Sequence, residues 1–329
     1  MIPTASDTRW LDAAARLALR GRPLARPNPA VGCILVTEGR VIARGWTREG
    51  GRPHAEAVAL EQAGSAARGA TAYVTLEPCA HSSTRGPACS DLLVEAGVAR
   101  VVVGALDPDP RTSGEGLERL RRARIDVSQA STPAVEASLA GYLTRAHRGR
   151  PHVTLKLALS LDGCIAMADG SSQWITGEEA RAHVHSRRAM SDAILVGGGT
   201  WRQDKPRLDV RLAGLEDRSP ARVLLSRGVP PDGVKVINDP AQIAQLDGVQ
   251  YLYVEGGAGA AASFLSADLV DRLEIYRAPI LIGNGAPALG DIGLGGLAEA
   301  HGRWVLAETR QLGSDTFTAY RRTRQEDQA

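Results

Sequence analysis

Apolar residues recur at helical spacing near the start of the chain, with Trp10, Leu11, Ala14, Leu17 and Ala18 forming a stripe. Ser6 and Asp7 stand just before it, where a helix N-cap would. The period then changes. AVGCILV at 30–36 is a short continuous apolar run, VIARG at 41–45 reads as a second strand, and Glu38-Gly39 between them supplies a hairpin turn. The pattern next reads helix (AEAVALEQAG), strand (TAYVTLEP), helix (SDLLVEAG), strand (ARVVVGAL) and helix (GEGLERLRRAR). That alternation predicts a layered α/β domain with helices on both faces of its sheet. Basic and helix-breaking residues interrupt the periodicity at 142–152, YLTRAHRGRPH, so a boundary is expected there, giving domains 1–146 and 147–329. The α/β alternation then restarts: VTLKLALS, DAILVGGG and YLYVEGG read as strands, EEARAHVHSRRAM and AAASFLSAD as helices. RRTRQEDQA at the end reads as a frayed polar tail, and no repeat of solenoid period is visible.

Length agrees with two domains, because 329 residues exceed what one core usually supports and about 150 per domain is the common size. Hydrophobic residues at 43% and charged residues at 23% suit a globular protein, and the absence of a bilayer-length apolar run argues against a membrane protein. MIPTASDTRW lacks the basic segment and apolar core of a secretory signal, so a cytoplasmic location is expected. Thiols stay reduced there. Cys33, Cys79, Cys89 and Cys164 therefore read as metal ligands, nucleophiles or small core residues rather than as a disulfide framework. A formal charge of +2 gives no overall drive toward nucleic acid, and none is expected as a partner.

The most informative cluster is His54-Ala55-Glu56, then Pro78-Cys79, then Cys89. One imidazole and two thiolates make a three-ligand zinc site with the fourth tetrahedral position free, as a catalytic zinc requires. All three ligands fall at predicted strand ends or helix N-termini, where partial positive charge favours thiolates. Glu56 is two residues from a ligand and is read as the general acid–base, moving a proton from the attacking water to a ring nitrogen and the leaving amine. Zinc nucleobase deaminases share this arrangement, although their cysteines stand two residues apart and nine residues separate these. The plain alternative is a buried Cys pair beside a surface His. His81 reads as a loop residue rather than a ligand.

In the second half, Lys156 interrupts an apolar strand, which suggests either a buried partner and a task or an ammonium reaching water at the strand edge. Gly197-Gly198-Gly199-Thr200 and Glu255-Gly256-Gly257-Ala258-Gly259 both follow predicted strands. Gly257, Gly259 and Ala262 fit G-x-G-x-x-A, but too late in the domain for a first Rossmann turn, so a different dinucleotide-binding sheet is favoured over glycines needed only for turns.

PNPAVGCILV at 27–36, GGRPHAEAVAL at 50–60, TLEPCAH at 75–81 and DPDP at 107–110 resemble the deaminase half of the bifunctional riboflavin-biosynthesis deaminase/reductase family. SLDG, SQWIT, the helix ending in Arg188, GGGTWRQDKPRLDVR at 197–211 and VEGG at 254–257 are similar to its reductase half. The long interval between the cysteines is also a family mark. The loop 82–88, SSTRGPA, departs from the family's Gly-Arg-Thr-Pro-Pro run and is one residue longer. The resemblance implies a cytidine-deaminase-like α/β/α domain followed by a dihydrofolate-reductase-like α/β domain, with Zn2+ in the first and NADPH in the second. It implies that Asn28 holds the pyrimidine. It places Ala158, Trp174, Thr200, Asp204 and the turn Gly257, Ala258, Gly259 on the cofactor. It assigns Ser172, Arg188, Leu208, Arg211 and Glu255 to the substrate, and Lys156 is placed there as well from its position in the strand. That substrate would be a small phosphorylated pyrimidine, first deaminated and then reduced at its ribosyl group by hydride transfer. A homo-oligomer is expected. Two rivals are a tRNA or nucleoside deaminase with an unrelated appended domain, and a zinc-stabilised binding module. SLDG and SQWIT argue against the first and Glu56 against the second.

Overall fold

Thr4, rather than Ser6 or Asp7, caps the first helix of the computed structural model, which describes residues 4–81, 84–228 and 231–324. The Asp7 N–H donates to the Thr4 hydroxyl and the Thr4 N–H donates to the Asp7 carboxylate, a reciprocal capping box. Asp7 lies inside α1 (Ala5–Ala18), where Arg100 (2.8 and 3.1 Å) and the Tyr73 hydroxyl (3.1 Å) also donate to it. An acidic residue that looks like a cap is thus an anchor between the helix and the sheet.

The chain divides into two compact units, 1–149 and 150–329. In the first, β1 (Gly32–Thr37) and β2 (Arg40–Trp46) form a hairpin whose turn places Glu38 and Gly39 at φ of 50° and 73°. β3 (Thr71–Leu76) pairs antiparallel with β1, and β4 (Arg100–Ala105) and β5 (Asp126–Gln129) continue in parallel. The order is β2-β1-β3-β4-β5. α2 (Ala55–Ala63), α3 (Cys89–Ala96) and α4 (Glu115–Arg122) follow β2, β3 and β4 in turn. A β-carbon on Gly32 would lie 2.0 Å from the Ala14 carbonyl oxygen of α1, and one on Gly45 would lie 2.1 Å from the Ala55 carbonyl oxygen of α2. Since Cys33 pairs with Gly45, the two glycines point to opposite faces, so helices cover both sides of the sheet.

Residues 142–148 do not interrupt the pattern. They continue α5 (Pro133–Arg148), whose last turn carries Arg145, His147 and Arg148 where the helix dipole favours cations, and Gly149 ends it in the left-handed conformation at φ 66°.

In the second unit, β6 (His152–Leu159), β7 (Cys164–Ala166), α6 (Glu178–Arg188), β8 (Ala193–Gly197), α7 (Gly198–Asp204), β9 (Ala221–Leu225) and β10 (Lys235–Ile237) come first. β11 (Tyr251–Val254), α8 (Ala258–Ser266), β12 (Arg272–Arg277), β13 (Ala286–Pro287), β14 (Trp304–Leu312) and β15 (Asp315–Arg322) follow. The main sheet has the order β10-β9-β8-β11-β6-β12-β15-β14, parallel from β10 to β12 and antiparallel beyond, while β7 and β13 pair separately. In β6 the burial alternates: Val153, Leu155, Leu157 and Leu159 are buried, leaving Lys156 and Ala158 on the other face. The expected frayed tail is ordered as far as Arg324, because Arg321 and Arg322 belong to β15 and Arg322 and Arg324 pair with Asp268 and Asp271; residues 325–329 lie outside the described residues. Among the described residues no helix is long and apolar enough to cross a membrane.

Candidate active sites

His54 is the N-cap of α2, Cys79 lies just past β3 and Cys89 is the first residue of α3, so three element ends converge. Their ligand atoms lie within 4.8 Å of one another, with His54 Nδ1 3.5 Å from Cys79 Sγ and 3.3 Å from Cys89 Sγ. Tetrahedral zinc at bond lengths of about 2.1 Å to nitrogen and 2.3 Å to sulfur needs N to S separations of roughly 3.6 Å, so donor set and spacing both fit the ion. The Cys89 thiol hydrogen bond holds the Cys79 thiol well below the usual range against the effect of burial. That same bond, with burial, pushes Cys89 up. The Cys89 N–H also donates to Cys79 Sγ at 3.3 Å. Glu56 stands in the first turn of α2, 3% exposed, and burial pushes its carboxyl up to about 7 although the nearby His54 opposes the shift.

The surrounding loops are tied down by groups that the sequence reading did not single out. Glu77 accepts from the N–H groups of Gly114 and Gly116 at 3.0 Å each and from Asp107 and Leu117 at 3.3 Å, fastening the end of β3 to the start of α4. Its signal was a lone acid in the apolar run that leads to Cys79. Asp107 accepts from the Tyr142 hydroxyl at 2.7 Å. His81 lies 3.4 Å from the Thr112 hydroxyl and outside the metal-ligand group, as a loop residue. Asn28 Nδ2 donates to the Gly51 carbonyl at 3.4 Å, on the segment that enters His54. Arg85 donates to the Gly50 carbonyl at 3.0 Å and Arg52 to the Pro87 carbonyl at 3.5 Å, linking the 82–88 loop to that same segment; Ser82 and Ser83 lie outside the described residues.

In the second unit a cavity of about 610 Å³ opens where β6, β8 and β11 end. It brings together Lys156, Ala158, Ser172, Trp174, Arg188, Thr200, Asp204, Leu208, Arg211, Glu255, Gly257 and Ala258, all residues picked from the sequence. Gly259 is exposed and does not line it. Open α/β sheets bind ligands at the carboxyl ends of their strands, which is where these residues stand. Lys156 has a partner rather than an escape to water: its Nζ is 3.7 Å from Glu255 Oε2, and burial lowers its pKa. Arg188 grips the Glu255 carboxylate with Nε at 2.6 Å and Nη2 at 2.9 Å, while Nη1 donates to the Asp209 carbonyl at 2.9 Å. Burial would raise the Glu255 pKa, yet Arg188 and then Lys156 outweigh it and hold the carboxyl down at about 2. Three of the five N–H donors of Arg188 are therefore engaged. The guanidinium of Arg211, 51% exposed, has among the described residues a single ion-pair contact, 3.5 Å from Asp209.

Leu208 is buried at φ 56°, a left-handed conformation that costs a bulky side chain about 1–3 kcal/mol and tends to occur where surrounding structure forces it. Trp174 is 63% exposed on the cavity wall, with the Arg181 guanidinium 4.9 Å from its ring centroid. Thr200 Oγ1 accepts from the Gly257 N–H at 3.2 Å, joining α7 to the turn before α8. His185 and Arg181 also line the cavity and were passed over in the sequence. Their places on α6 hold the signal, since His185 precedes Arg188 by three residues and so shares its face. His185 Nδ1 accepts from the Arg211 N–H at 3.2 Å.

Comparison with known proteins finds matches in both units. Residues 4–105 match the cytidine and deoxycytidylate deaminase zinc-binding region, and residues 151–318 match the RibD C-terminal domain. The riboflavin biosynthesis protein RibD of Escherichia coli is 38% identical over 359 residues, covering 94% of this chain and 97% of that protein. The one from Mycobacterium tuberculosis is 39% identical over 307 residues, covering 88% of this chain and 89% of its own. Among solved structures, Acinetobacter baumannii RibD superposes with a TM-score of 0.84 at 35% identity, covering 97% of this chain and 99% of that one. The diaminohydroxyphosphoribosylaminopyrimidine deaminase/5-amino-6-(5-phosphoribosylamino)uracil reductase of Thermotoga maritima superposes with a TM-score of 0.84 at 30% identity, with the same coverage. The chain belongs to the RibD family of riboflavin biosynthesis, bifunctional enzymes that join a zinc-binding deaminase to an NADPH-dependent reductase.

Proposed function

We propose that the first domain, residues 1–146, hydrolyses the amine of 2,5-diamino-6-(5-phosphoribosylamino)pyrimidin-4-one, and that the second, 147–329, reduces the ribosyl group of the resulting uracil to ribityl. The observation that carries the reading is the convergence of His54, Cys79 and Cys89 with Glu56 buried beside them. Held by those three side chains, zinc supplies a Lewis acid that activates water. Glu56 takes the proton released as water adds to the amino-bearing carbon and passes it to the ring nitrogen and then the departing ammonia. Burial, which raises the Glu56 carboxyl above its usual range, suits a group that must both take and give a proton. Asn28 orients the pyrimidine.

In the second domain Ala158, Trp174, Thr200, Asp204 and the turn at Gly257, Ala258 and Gly259 hold NADPH, which supplies the hydride. Arg211, whose guanidinium is half exposed at the cavity, grips the sugar phosphate, a bidentate acceptor well matched to its fork. Lys156, Ser172 and Leu208 shape the sugar side. Arg188 holds Glu255 and the Asp209 carbonyl with three of its five N–H donors, so it acts on the substrate largely through them. The acceptor of hydride is the carbonyl-like carbon of the opened sugar or its imine.

The reading extends to a cytoplasmic homo-oligomer that acts on small molecules, without nucleic acid or membrane; four free cysteines suit a reducing compartment. The decisive test incubates purified protein with the diaminopyrimidine phosphate, with and without NADPH, and weighs each product. Deaminated ribosyl product without NADPH and ribityl product with it are expected. A fragment of residues 147–329 should reduce the pre-formed aminouracil in the absence of zinc. If the fragment is folded but inactive, the assignment of one reaction to each domain fails.

A further inference from the structure

We propose that the open edge of the first sheet carries a second ligand site, formed by Arg20, Arg44 and Arg48 around Trp46, for a small phosphomonoester bearing hydroxyl or amino groups. β2 is an edge strand, and Arg44, Trp46 and Arg48 alternate along it and its extension, so their side chains share one face. Arg20 arrives from the short turn after α1. With Leu17, Val58, Glu61 and Gln62 they line a cavity of about 460 Å³, within the range of small-molecule sites, and no residue of the metal cluster is among them.

The charges on this wall are unbalanced. Several other guanidinium groups meet carboxylates, as in Arg100 with Asp7, Arg150 with Asp271 and Arg188 with Glu255. Among the described residues Arg20, Arg44 and Arg48 have no carboxylate within ion-pair distance. Three like charges at one cavity repel, and an oxyanion between them removes that cost. The aromatic ring preorganises them. The Arg48 guanidinium carbon lies 3.9 Å and that of Arg20 5.3 Å from the Trp46 ring centroid. Stacking uses the face of a guanidinium and leaves its in-plane N–H donors for the bidentate geometry a phosphate accepts. Glu61 on the same wall selects against a continuous polyanion. It favours a ligand with one anionic end and a donor group at the other, so a small phosphomonoester fits better than a nucleic acid strand.

The test uses the full-length, zinc-loaded protein with uridine 5′-monophosphate, and uridine as the control without a phosphate. Saturable quenching of tryptophan fluorescence by the monophosphate is expected, with most of the signal lost in Trp46→Phe and the same dissociation constant by calorimetry. Arg20→Ala and Arg48→Ala should each weaken binding roughly tenfold or more, with Arg48→Lys intermediate because it keeps charge without the fork. Arg211→Ala should leave this binding unchanged, separating it from the cavity of the second unit. Equal affinity for uridine, binding indifferent to the three arginines, or arginine-dependent binding seen only with a single-stranded oligonucleotide would each overturn the proposal.

Discussion

The metal cluster draws its chemistry from residues between His54 and Cys89, set on the ends of adjacent elements, whereas the cavity of the second unit is lined by residues spread from Lys156 to Ala286. The first depends on a few side-chain atoms of types that cannot be exchanged. The second depends on strand ends, glycine turns and one network of charges centred on Glu255. Loss at the first should therefore be abrupt and confined to one reaction. Loss at the second should be graded and divisible between substrate and cofactor.

The sharpest test of that contrast is Glu56→Gln. It should keep zinc, because the carboxylate is not a ligand, and lose about 10²–10⁴-fold in ammonia release while reduction of the pre-formed aminouracil is unchanged. Near wild-type ammonia release would remove Glu56 from the mechanism. Cys79→Ser and Cys89→Ser should each lower zinc occupancy measured by metal analysis, since a hydroxyl is a far poorer ligand than a thiolate, again without touching reduction.

In the cavity, Glu255→Gln should cost the second unit on the order of 3 kcal/mol, because Arg188 and Lys156 are left facing each other without their common anion. Acid should reproduce part of this loss. The folded Glu255 carboxyl titrates near 2, below the roughly 4.3 of an unfolded chain, so its contribution is complete above that value and fades as pH falls toward 2. Denaturant melts of wild type and Glu255→Gln should accordingly converge between about pH 4 and 2. A gap that stays constant across that window would mean that the ion pair does not govern the stability of this site.

Legibility in the sequence follows the same divide. His54, Cys79, Cys89 and Glu56 could be read from residue type and spacing because metal ligation admits few substitutes. Ala158 and Leu208 carry no chemical signature, and only the family resemblance drew attention to them; the structure then gathers them in one cavity. Strands such as β9, β10, β12 and β14 went unread because they are short or polar, and their stability comes from pairing within an eight-stranded sheet rather than from local pattern. The reading of 142–148 as a break in the pattern has a similar cause. Arg145, His147 and Arg148 look like a linker, but a basic last turn capped by glycine is a favourable way to finish a helix. Asp7 likewise resembled a cap, and its Arg100 partner 93 residues away was invisible locally.

Arg211→Ala should raise the substrate dissociation constant by roughly tenfold or more, from loss of a charge-assisted contact worth about 1.5–3 kcal/mol, while NADPH affinity stays level. Weakened NADPH with intact substrate binding would reverse the two assignments. The smallest effect lies one contact farther out. His185 accepts the Arg211 N–H, and Arg188, three residues along α6, holds the Asp209 carbonyl, so together they clamp the segment in which Leu208 is strained. His185→Ala leaves that N–H without its acceptor, which costs about 1 kcal/mol, and should raise the substrate constant by roughly fivefold. His185→Asn places an oxygen near the position of Nδ1 and should recover most of the loss. In an Arg211→Ala background the His185→Ala effect should vanish, since the segment then has no guanidinium left to position. An undiminished effect in that background, or asparagine failing where glutamine succeeds, would mean that His185 touches the substrate itself.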